Sequence, residues 1–206
     1  MAIEPLDWSV VVVGNWNVAI LTPDGIRRRL FALPDGSPID VEVAVDRPGR
    51  FRVKHAQVIV DPSPTSLVTI GTANEIDALQ AAASVSRKAL SVLSETPVSA
   101  AGVNFNFKVD EFSDDIIEML GSELDNLIAD NNFVIVGRRV VRAIKCKNGI
   151  LNVTLFNDDF QSRGIQFNFH LDSQDPKLLS EWLDNVAEFH EIQSTLLTGL
   201  GFNIER

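Results

Sequence analysis

The chain has 206 residues, a formal net charge of −10, 45% hydrophobic residues, 12 Phe and no Tyr. This length and hydrophobic fraction suit one large domain or two fused half-domains with a sizeable core. The acidic balance, with a pI near 4.7, argues against general binding to phosphate backbones or anionic membranes, because both need clustered Lys and Arg.

The first half of the sequence predicts a strand, a short helix, three strands and a long helix. The run WSVVVVGNWNVAIL is typical of a strand, and Thr22 before Pro23 predicts the start of a helix over residues 23–31. Strands are predicted for IDVEVAV, FRVKHAQVIV and SLVTIG. Thr72 and Glu75 have capping-box spacing, and the apolar residues that follow recur at three- and four-residue steps, which predicts a long amphipathic helix.

The second half predicts the same order of elements. Ser113, Asp114 and Asp115 indicate the start of a helix, because carboxylates in a first turn favour the positive end of the helix dipole. Three strands follow in FVIVGRRVVRAIKC, ILNVTLFN and GIQFNFHL, and KNG indicates a hairpin between the first two. Asp175 before Pro176 predicts the start of a last long helix.

Three similar six-residue stretches, which we call the sextets, occur in the chain. They are GVNFNF from Gly102, GIQFNF from Gly164 and GLGFNI from Gly199. The first and third begin 97 residues apart, and each follows a predicted long helix. Together with the repeated element order, this spacing predicts an internal duplication, with half-repeats at approximately residues 1–101 and 102–206 of one continuous unit. Chance similarity in a Phe- and Asn-rich chain is the alternative.

This order of elements resembles the saddle-shaped fold of TATA-box-binding proteins, in which two strand-helix-strands-helix units share one curved antiparallel sheet. The resemblance covers most of the chain as topology, but no sequence motif of that family is present, and no function follows from it. We expect an α+β fold with a large, mainly antiparallel sheet built from two similar halves. The two long helices should pack side by side on one face of that sheet.

Sequence motifs of catalytic and cofactor sites are absent. The chain has no GxxxxGK[ST], GxGxxG, GxSxG or HExxH pattern. Its single cysteine, Cys146, excludes an internal disulfide and a cysteine zinc cluster, and a buried structural thiol is the favoured interpretation. None of His55, His170 and His190 has a second His or Cys at ligand spacing, although a folded site could gather distant residues. We therefore predict a protein without catalytic residues, cofactor or metal.

Two groups of charged residues leave alternatives open. Carboxylates before a predicted helix and in a predicted loop could hold Mg²⁺ or Ca²⁺, but capping and solvation are the favoured roles. Basic residues along one predicted strand could bind an anion or nucleic acid, but pairing with the protein's own carboxylates is favoured. The acidic group is Asp110, Glu111, Asp114, Asp115, Asp158 and Asp159, and the basic group is Arg138, Arg139, Arg142, Lys145 and Lys147.

The alternation within the sextets puts Phe and aliphatic residues on one strand face and amides on the other. We expect the first face to pack against the long helices. The second face would offer neutral donors and acceptors, which can bind a peptide backbone, a sugar or a base edge. Simple solvation of the outer face is the alternative. The candidate partner-binding residues are Asn104, Asn106, Gln166, Asn168 and Asn203.

The leading functional hypothesis is a non-enzymatic interaction or assembly subunit that binds a protein partner, or a second copy of itself, through the sheet face or an edge strand. Exposed edge strands favour a homodimer. The alternatives are a small-molecule-binding module with a Phe-lined pocket fringed by Asn, and a metal-dependent hydrolase that uses the carboxylates near Asp110 or Asp158. Nucleic acid is not an expected partner.

The N-terminal stretch MAIEPLDW lacks the basic segment of a secretory signal. The longest apolar run, Val10 to Val13, is too short to cross a bilayer. We therefore expect a soluble, cytoplasmic protein with no membrane partner.

Overall fold

The computed structural model describes residues 1–44, 49–158 and 163–204. In these residues the chain forms ten strands and six helices. The strands are β1 (Ala2–Gly14), β2 (Asp40–Val43), β3 (Phe51–His55), β4 (Val58–Pro62), β5 (Ser66–Gly71), β6 (Val98–Val109), β7 (Gly137–Cys146), β8 (Gly149–Asp158), β9 (Arg163–Asp172) and β10 (Asn203–Ile204). The helices are α1 (Pro23–Arg29), α2 (Ile76–Val92), α3 (Asp114–Leu120), α4 (Glu123–Asp130), α5 (Pro176–Leu183) and α6 (Val186–Gly199).

Nine of the strands form one sheet in the order β2-β3-β4-β5-β1-β6-β9-β8-β7. Every neighbouring pair along this path is antiparallel, and β10 adds to the start of β1 in parallel. The predicted α+β fold with a large, mainly antiparallel sheet is therefore confirmed. Strands β1 and β6 lie at the centre of the sheet, and β2 and β7 are its two edges.

Helices cover one face of the sheet. Helix α2 packs against β1, β4 and β5, and it also contacts α5 and α6, while α5 contacts β6. Arg87 of α2 ties these helices together through an ion pair with Asp184 and a hydrogen bond from its Nε to Ser180 Oγ. None of the helices in the described ranges is long and apolar enough to cross a membrane.

The covered face of the sheet is an aromatic core, as the alternation in the first two sextets predicts. Strands β6 and β9 pair so that Phe105 stands opposite Phe167, and both side chains are fully buried. Phe169 stacks on Phe189 of α6 with ring centroids 4.7 Å apart. Strand geometry sends alternate side chains to opposite faces, so the same two strands direct their amides away from the core.

Local capping residues position two of the helices where the sequence predicts them. Thr22 Oγ1 accepts a hydrogen bond from the Gly25 N–H at 3.1 Å, and Asp175 Oδ1 accepts one from the Lys177 N–H at 2.8 Å. At Glu75 the predicted capping box does not form, because Glu75 itself is the N-cap and its side chain makes no capping bond.

Several predicted elements are divided in the structure. The predicted strand FRVKHAQVIV is a hairpin of β3 and β4, in which Ala56 has a positive φ of 49°, so four strands and not three follow α1 in the first half. The helix predicted after Ser113 is divided into α3 and α4 around Gly121. The last helix is divided at Asn185, whose Nδ2 donates to the carbonyls of Glu181 and Trp182 and so satisfies the end of α5.

The third sextet differs from the other two. GLGFNI begins with Gly199, the last residue of α6, and Gly201 has a positive φ of 80° in the turn that follows. Only Asn203 and Ile204 form a strand, so this stretch is not a third long strand beside β6. Phe202 is nevertheless buried, with its ring centroid 6.2 Å from that of Phe112.

Candidate functional site

The face of the sheet opposite the helices, which we call the open face, carries a chain of hydrogen-bonded amides. Asn168 Nδ2 donates to Asn104 Oδ1 at 2.7 Å, and Asn152 Nδ2 donates to Asn168 Oδ1 at 3.3 Å. Asn104 Nδ2 donates to Ser9 Oγ at 3.3 Å. Because these residues are direct neighbours on adjacent strands, the chain crosses β1, β6, β9 and β8 in one line. We call Ser9, Asn104, Asn168 and Asn152 the amide row.

The five predicted binding residues do not all come together. Asn104 and Asn168 belong to the amide row, and Asn106 and Gln166 stand opposite each other one step along the same strands. Asn106 Nδ2 donates to the Asp7 carbonyl at 3.2 Å. Asn203 lies apart from them on β10, beside Ala2.

Sequence reasoning did not select Asn152 and Ser9, the two ends of the amide row. Asn152 alternates with Thr154 on β8, and this alternation was the available signal for a polar face. Its Nδ2 also lies 3.3 Å from His170 Nδ1. Ser9 sits between apolar neighbours in a valine-rich strand, so only the pairing of β1 with β6 shows its role.

The amide row can bind neutral polar groups. Asn104 and Asn168 each donate one hydrogen bond and accept one along the row. An amide has two N–H donors and two acceptor positions on its oxygen, so each keeps capacity for a further partner. Both side chains are half-buried, which makes them less accessible than freely solvated amides.

The open face is mostly aliphatic on β1, β5 and β4. Val11, Val68, Ile59 and Ile70 are half-buried there, so apolar side chains replace amides on β1, β4 and β5. Asp61 lies on the same face and is buried, and its Oδ2 accepts from Arg50 at 3.0 Å and Arg52 at 2.9 Å. These bonds compensate part of the cost of burying the carboxylate charge, since Asp61 Oδ1 has no hydrogen-bond partner among the described residues.

Strand β7 is an exposed edge of ten residues, about 33 Å long at the usual rise of a strand. Its outer side has no strand partner in the described part of the chain. Val141 on the open face is 49% exposed, and Ile144 on the other face is 42% exposed. A long, apolar edge of this kind can pair with another strand.

Positive charge follows β7 along both faces. Arg138 donates from Nε to Asp125 Oδ2 at 2.6 Å, and this hydrogen bond lowers the pKa of the Asp125 carboxyl. The Arg139 guanidinium lies over the Phe156 ring at 5.4 Å. Within the described ranges, Arg142 and Lys145 form no ion pair with a carboxylate, so the predicted pairing with acidic residues holds only for part of this basic group.

The exposed apolar side chains concentrate next to β7. Of the 18 large apolar side chains that are exposed in the described residues, nine lie between Ile117 and Ile144. Helix α4 buries none of its residues, and Leu124 and Leu127 on it are 59% and 60% exposed. We call the following set the β7 edge surface: Leu124, Leu127, Phe133, Val134, Val136, Val141 and Ile144.

A cleft of about 610 Å³ opens between β1, the start of α2, α6 and β10. It is lined partly by Trp8, Phe202, His190, Asn74 and Asn203. Trp8 Nε1 is buried and has no hydrogen-bond partner among the described residues. Burial also lowers the pKa of His190, so its imidazole stays neutral to lower pH than usual.

The residues expected for metal chemistry do not form a site in the described ranges. No group of three or more His, Cys, Asp or Glu side chains is arranged there to hold a metal ion. Asp159 lies outside the described residues. Cys146 is half-buried, and burial raises the pKa of its thiol, with a further contribution from Glu188. A raised thiol pKa does not favour a nucleophile.

No protein-family model matches the sequence, and no curated protein matches it significantly. Three features of the structure are candidates for binding: the amide row at the centre of the open face, the β7 edge surface at one side of the sheet, and the cleft beside Trp8.

Proposed function

We propose that this protein is a non-enzymatic interaction or assembly subunit that binds a protein partner along the β7 edge. The proposal is based on one observation. A ten-residue edge strand without an outer neighbour in the described residues lies beside the main concentration of exposed apolar side chains. A monomer rarely keeps such a patch exposed unless it serves binding.

Strand addition explains how β7 would bind. An incoming extended segment would pair with the outward N–H and C=O groups of β7 and replace the Arg142 guanidinium at the Val141 carbonyl, which supplies affinity without regard to sequence. Side chains on both faces would then select the partner. Val141 and Ile144 favour apolar residues, and Arg142 and Lys145 favour acidic ones.

The test compares two edges of the same sheet. A lysine on an edge strand blocks pairing with other strands. The tagged wild-type chain, purified from its native cells, should recover one or more partner proteins in stoichiometric amount. We expect the Val141→Lys variant, purified in the same way, not to recover them. The matched control is Val43→Lys on β2, which changes an exposed valine of the opposite edge. Equal recovery of the same partners with both variants would contradict binding at β7.

The amide row stays a candidate second contact. Asn104, Asn106, Gln166 and Asn168 are supported as a binding surface by their position on the open face and by the hydrogen-bonding capacity that Asn104 and Asn168 retain. Asn203 would have to act separately, in the cleft. A cytoplasmic location, as expected from the sequence, belongs to the same proposal.

A small-molecule-binding function is a second candidate, supported by the cleft beside Trp8. The unpartnered Trp8 Nε1 donor and the neutral His190 ring lie among aromatic and amide side chains, as a Phe-lined, Asn-fringed pocket requires. Native mass spectrometry of the purified protein tests this idea. We expect a bound small molecule that His190→Trp removes, and a wild-type protein with only its own mass would argue against it.

We also propose that the two halves derive from one duplicated unit. From the centre outward the strands follow the order β1, β5, β4, β3 on one side and β6, β9, β8, β7 on the other. This order supports the predicted saddle-like arrangement. Because β6 begins at Val98, the boundary between the halves would lie a few residues before position 102. Superposition of the halves should place β1 on β6 and β5 on β9.

A further inference from the structure

We propose that the strand that adds to β7 is the β7 strand of a second copy of this chain. The two strands would run antiparallel about a two-fold axis perpendicular to the sheet at Val141. This inference rests on the proposed function, because it names the partner of the same edge. The resulting homodimer would have one continuous sheet with both open faces on the same side.

The two edges of the sheet differ in how far they are protected. Strand β2 has only four residues, and its open-face side chains are the carboxylates Asp40 and Glu42. A short, charged edge resists pairing. Strand β7 has ten residues, no proline, and exposed apolar side chains on both faces. Pairing is therefore expected at β7 and not at β2.

The surface around β7 has an acidic part and a basic part, so two copies of it are electrostatically complementary. Residues 110–130, which include α3 and α4, carry eight carboxylates and no Lys or Arg, whereas residues 131–147 carry five basic residues and no carboxylate. A two-fold axis brings each surface patch against the same patch in reverse. Acidic residues of one copy then approach basic residues of the other, so a second copy satisfies both halves of the surface.

Antiparallel pairing would bring the acidic helix α4 of each copy close to the basic strand β7 of the other copy. Arg138 is held by Asp125, so α4 lies near the Arg138 end of its own β7. In the pair, that end lies beside the Ile144 end of the second strand. Leu124 and Leu127 of α4 would then approach Ile144 of the other copy, and the α4 carboxylates would approach its Arg142, which shares the face of Ile144.

The distribution of charge along β7 also selects a register. An axis perpendicular to the sheet keeps each side chain on its own face, so residues that pair must both be odd-numbered or both even-numbered. Two such registers pair nine residues of the strand. The register centred on Arg142 puts Arg142 opposite its own copy and Arg139 opposite Lys145, which is unfavourable for like charges.

The register centred on Val141 avoids these oppositions. Arg139 would face Ala143, Arg142 would face Val140, and Arg138 would face Ile144 of the other copy. Lys145 would face Gly137, and Val141 would face itself at the axis. Each basic residue then lies opposite a small or apolar one. The exposed Val141 side chains of the two copies bury each other at the axis.

The first test measures mass in solution with Val141→Lys and the control Val43→Lys. We expect the wild-type chain to have twice its own mass of 22.7 kDa. Val141→Lys puts two ammonium groups opposite each other, so the dissociation constant should rise at least about tenfold. Val43→Lys should leave the dimer unchanged. A dimer that Val141→Lys does not weaken would overturn the proposal.

The second test reads the register with cysteines in a Cys146→Ser background. Directly opposed residues of antiparallel strands have Cα atoms about 4.5–5.5 Å apart, which is within disulfide range. Val141→Cys should therefore form a disulfide-linked dimer under mild oxidation. Ala143→Cys, on the same face, should not, because its copy lies about 13 Å farther along the strand. Crosslinking at position 143 and not at 141 would overturn the register.

The outcomes separate the two proposals. A wild-type chain that is monomeric at every concentration measured would overturn the homodimer proposal. If the wild-type chain is monomeric but copurifies with a different protein, and Val141→Lys abolishes that copurification, then the proposal of binding at β7 stands. Only the identity of the partner would then be wrong. If neither a second copy nor another protein depends on Val141, both proposals fail.

Discussion

The central strands β6 and β9 and the edge strand β7 have similar lengths and belong to the same sheet, but their side chains have different surroundings. At the centre, Phe105 and Phe167 fill the core on one face, and Asn104 and Asn168 bond to each other on the other. On β7, Val141 and Ile144 stay exposed on opposite faces. Strand alternation thus defines two faces, but the neighbouring elements decide whether either face is complete.

The comparison leads to separate expectations for stability and for association. Substitutions in the centre should change the free energy of unfolding of the single chain. Substitutions at the β7 edge should leave that free energy nearly unchanged and should act on binding.

The largest effect is expected for Phe167→Ala. The Phe167 ring is fully buried and packs edge-on against Phe107 with centroids 6.3 Å apart, so its removal leaves a cavity in the core. We expect a loss of about 3–5 kcal/mol in the free energy of unfolding, measured by denaturant titration.

The matched control is Phe133→Ala in the β7 edge surface. Phe133 is 71% exposed, so its truncation should change the free energy of unfolding by no more than about 0.5 kcal/mol. The titration should be run at concentrations where the chain is monomeric, since association would add to its apparent stability. Similar losses for the two variants would refute the contrast between centre and edge.

A smaller effect is expected for Asn168→Ala in the amide row. This change removes the bond to Asn104 Oδ1 and the acceptor of Asn152 Nδ2. Because both partners are half-buried, water replaces the lost bonds only in part, and we expect a loss of about 1–2 kcal/mol.

Asn106→Ala is the comparison for the amide row, because Asn106 donates one exposed bond to the Asp7 carbonyl. Its cost should be smaller than that of Asn168→Ala in the same denaturant titration. If the amides of the open face are simply solvated, both variants should lose equally little free energy of unfolding. That result would show that the amide row does not stabilise the fold.

The smallest effect concerns the pH dependence of stability through His190. Partial burial lowers the pKa of His190 below its ordinary 6.5, against a raising contribution from Glu191. As the pH falls below 6.5, the unfolded chain binds a proton before the folded protein does, so stability decreases until the folded pKa is reached. We expect the Tm to drop between about pH 7.5 and pH 5.5, and to drop less in His190→Gln. Identical drops in the two proteins would show that His190 does not contribute.

Local patterns were sufficient to predict much of the fold. Thr22 and Asp175 mark helix starts because their side chains cap free N–H groups, and the KNG turn joins β7 to β8. Patterns did not reveal where single predicted elements are interrupted, and one of these interruptions has no strong turn residue. The hairpin at Ala56 is that case, because alanine rarely adopts a positive φ and FRVKHAQVIV contains no Gly, Pro, Asn or Asp.

The candidate site was only partly visible in the sequence. Asn104 and Asn168 were predicted from alternation, and strand pairing then placed them in contact. Asn203 was grouped with them because of its sextet, but that stretch follows a helix end and forms only a two-residue strand. The basic residues of β7 were also evident, whereas the exposure of this strand follows only from its place at the edge.

The sequence by itself determined which side chains share a face of each strand and where several helices begin, because these properties depend on residues that are close along the chain. Tertiary structure decided which strands are central and which are edges, and so which faces are covered. Apolar side chains are buried in β6, where β1 and β9 flank the strand and helices cover it, whereas Val141 and Ile144 are exposed in β7, where one side lies open. Burial depends on contacts between residues far apart in sequence, and local patterns do not encode these contacts.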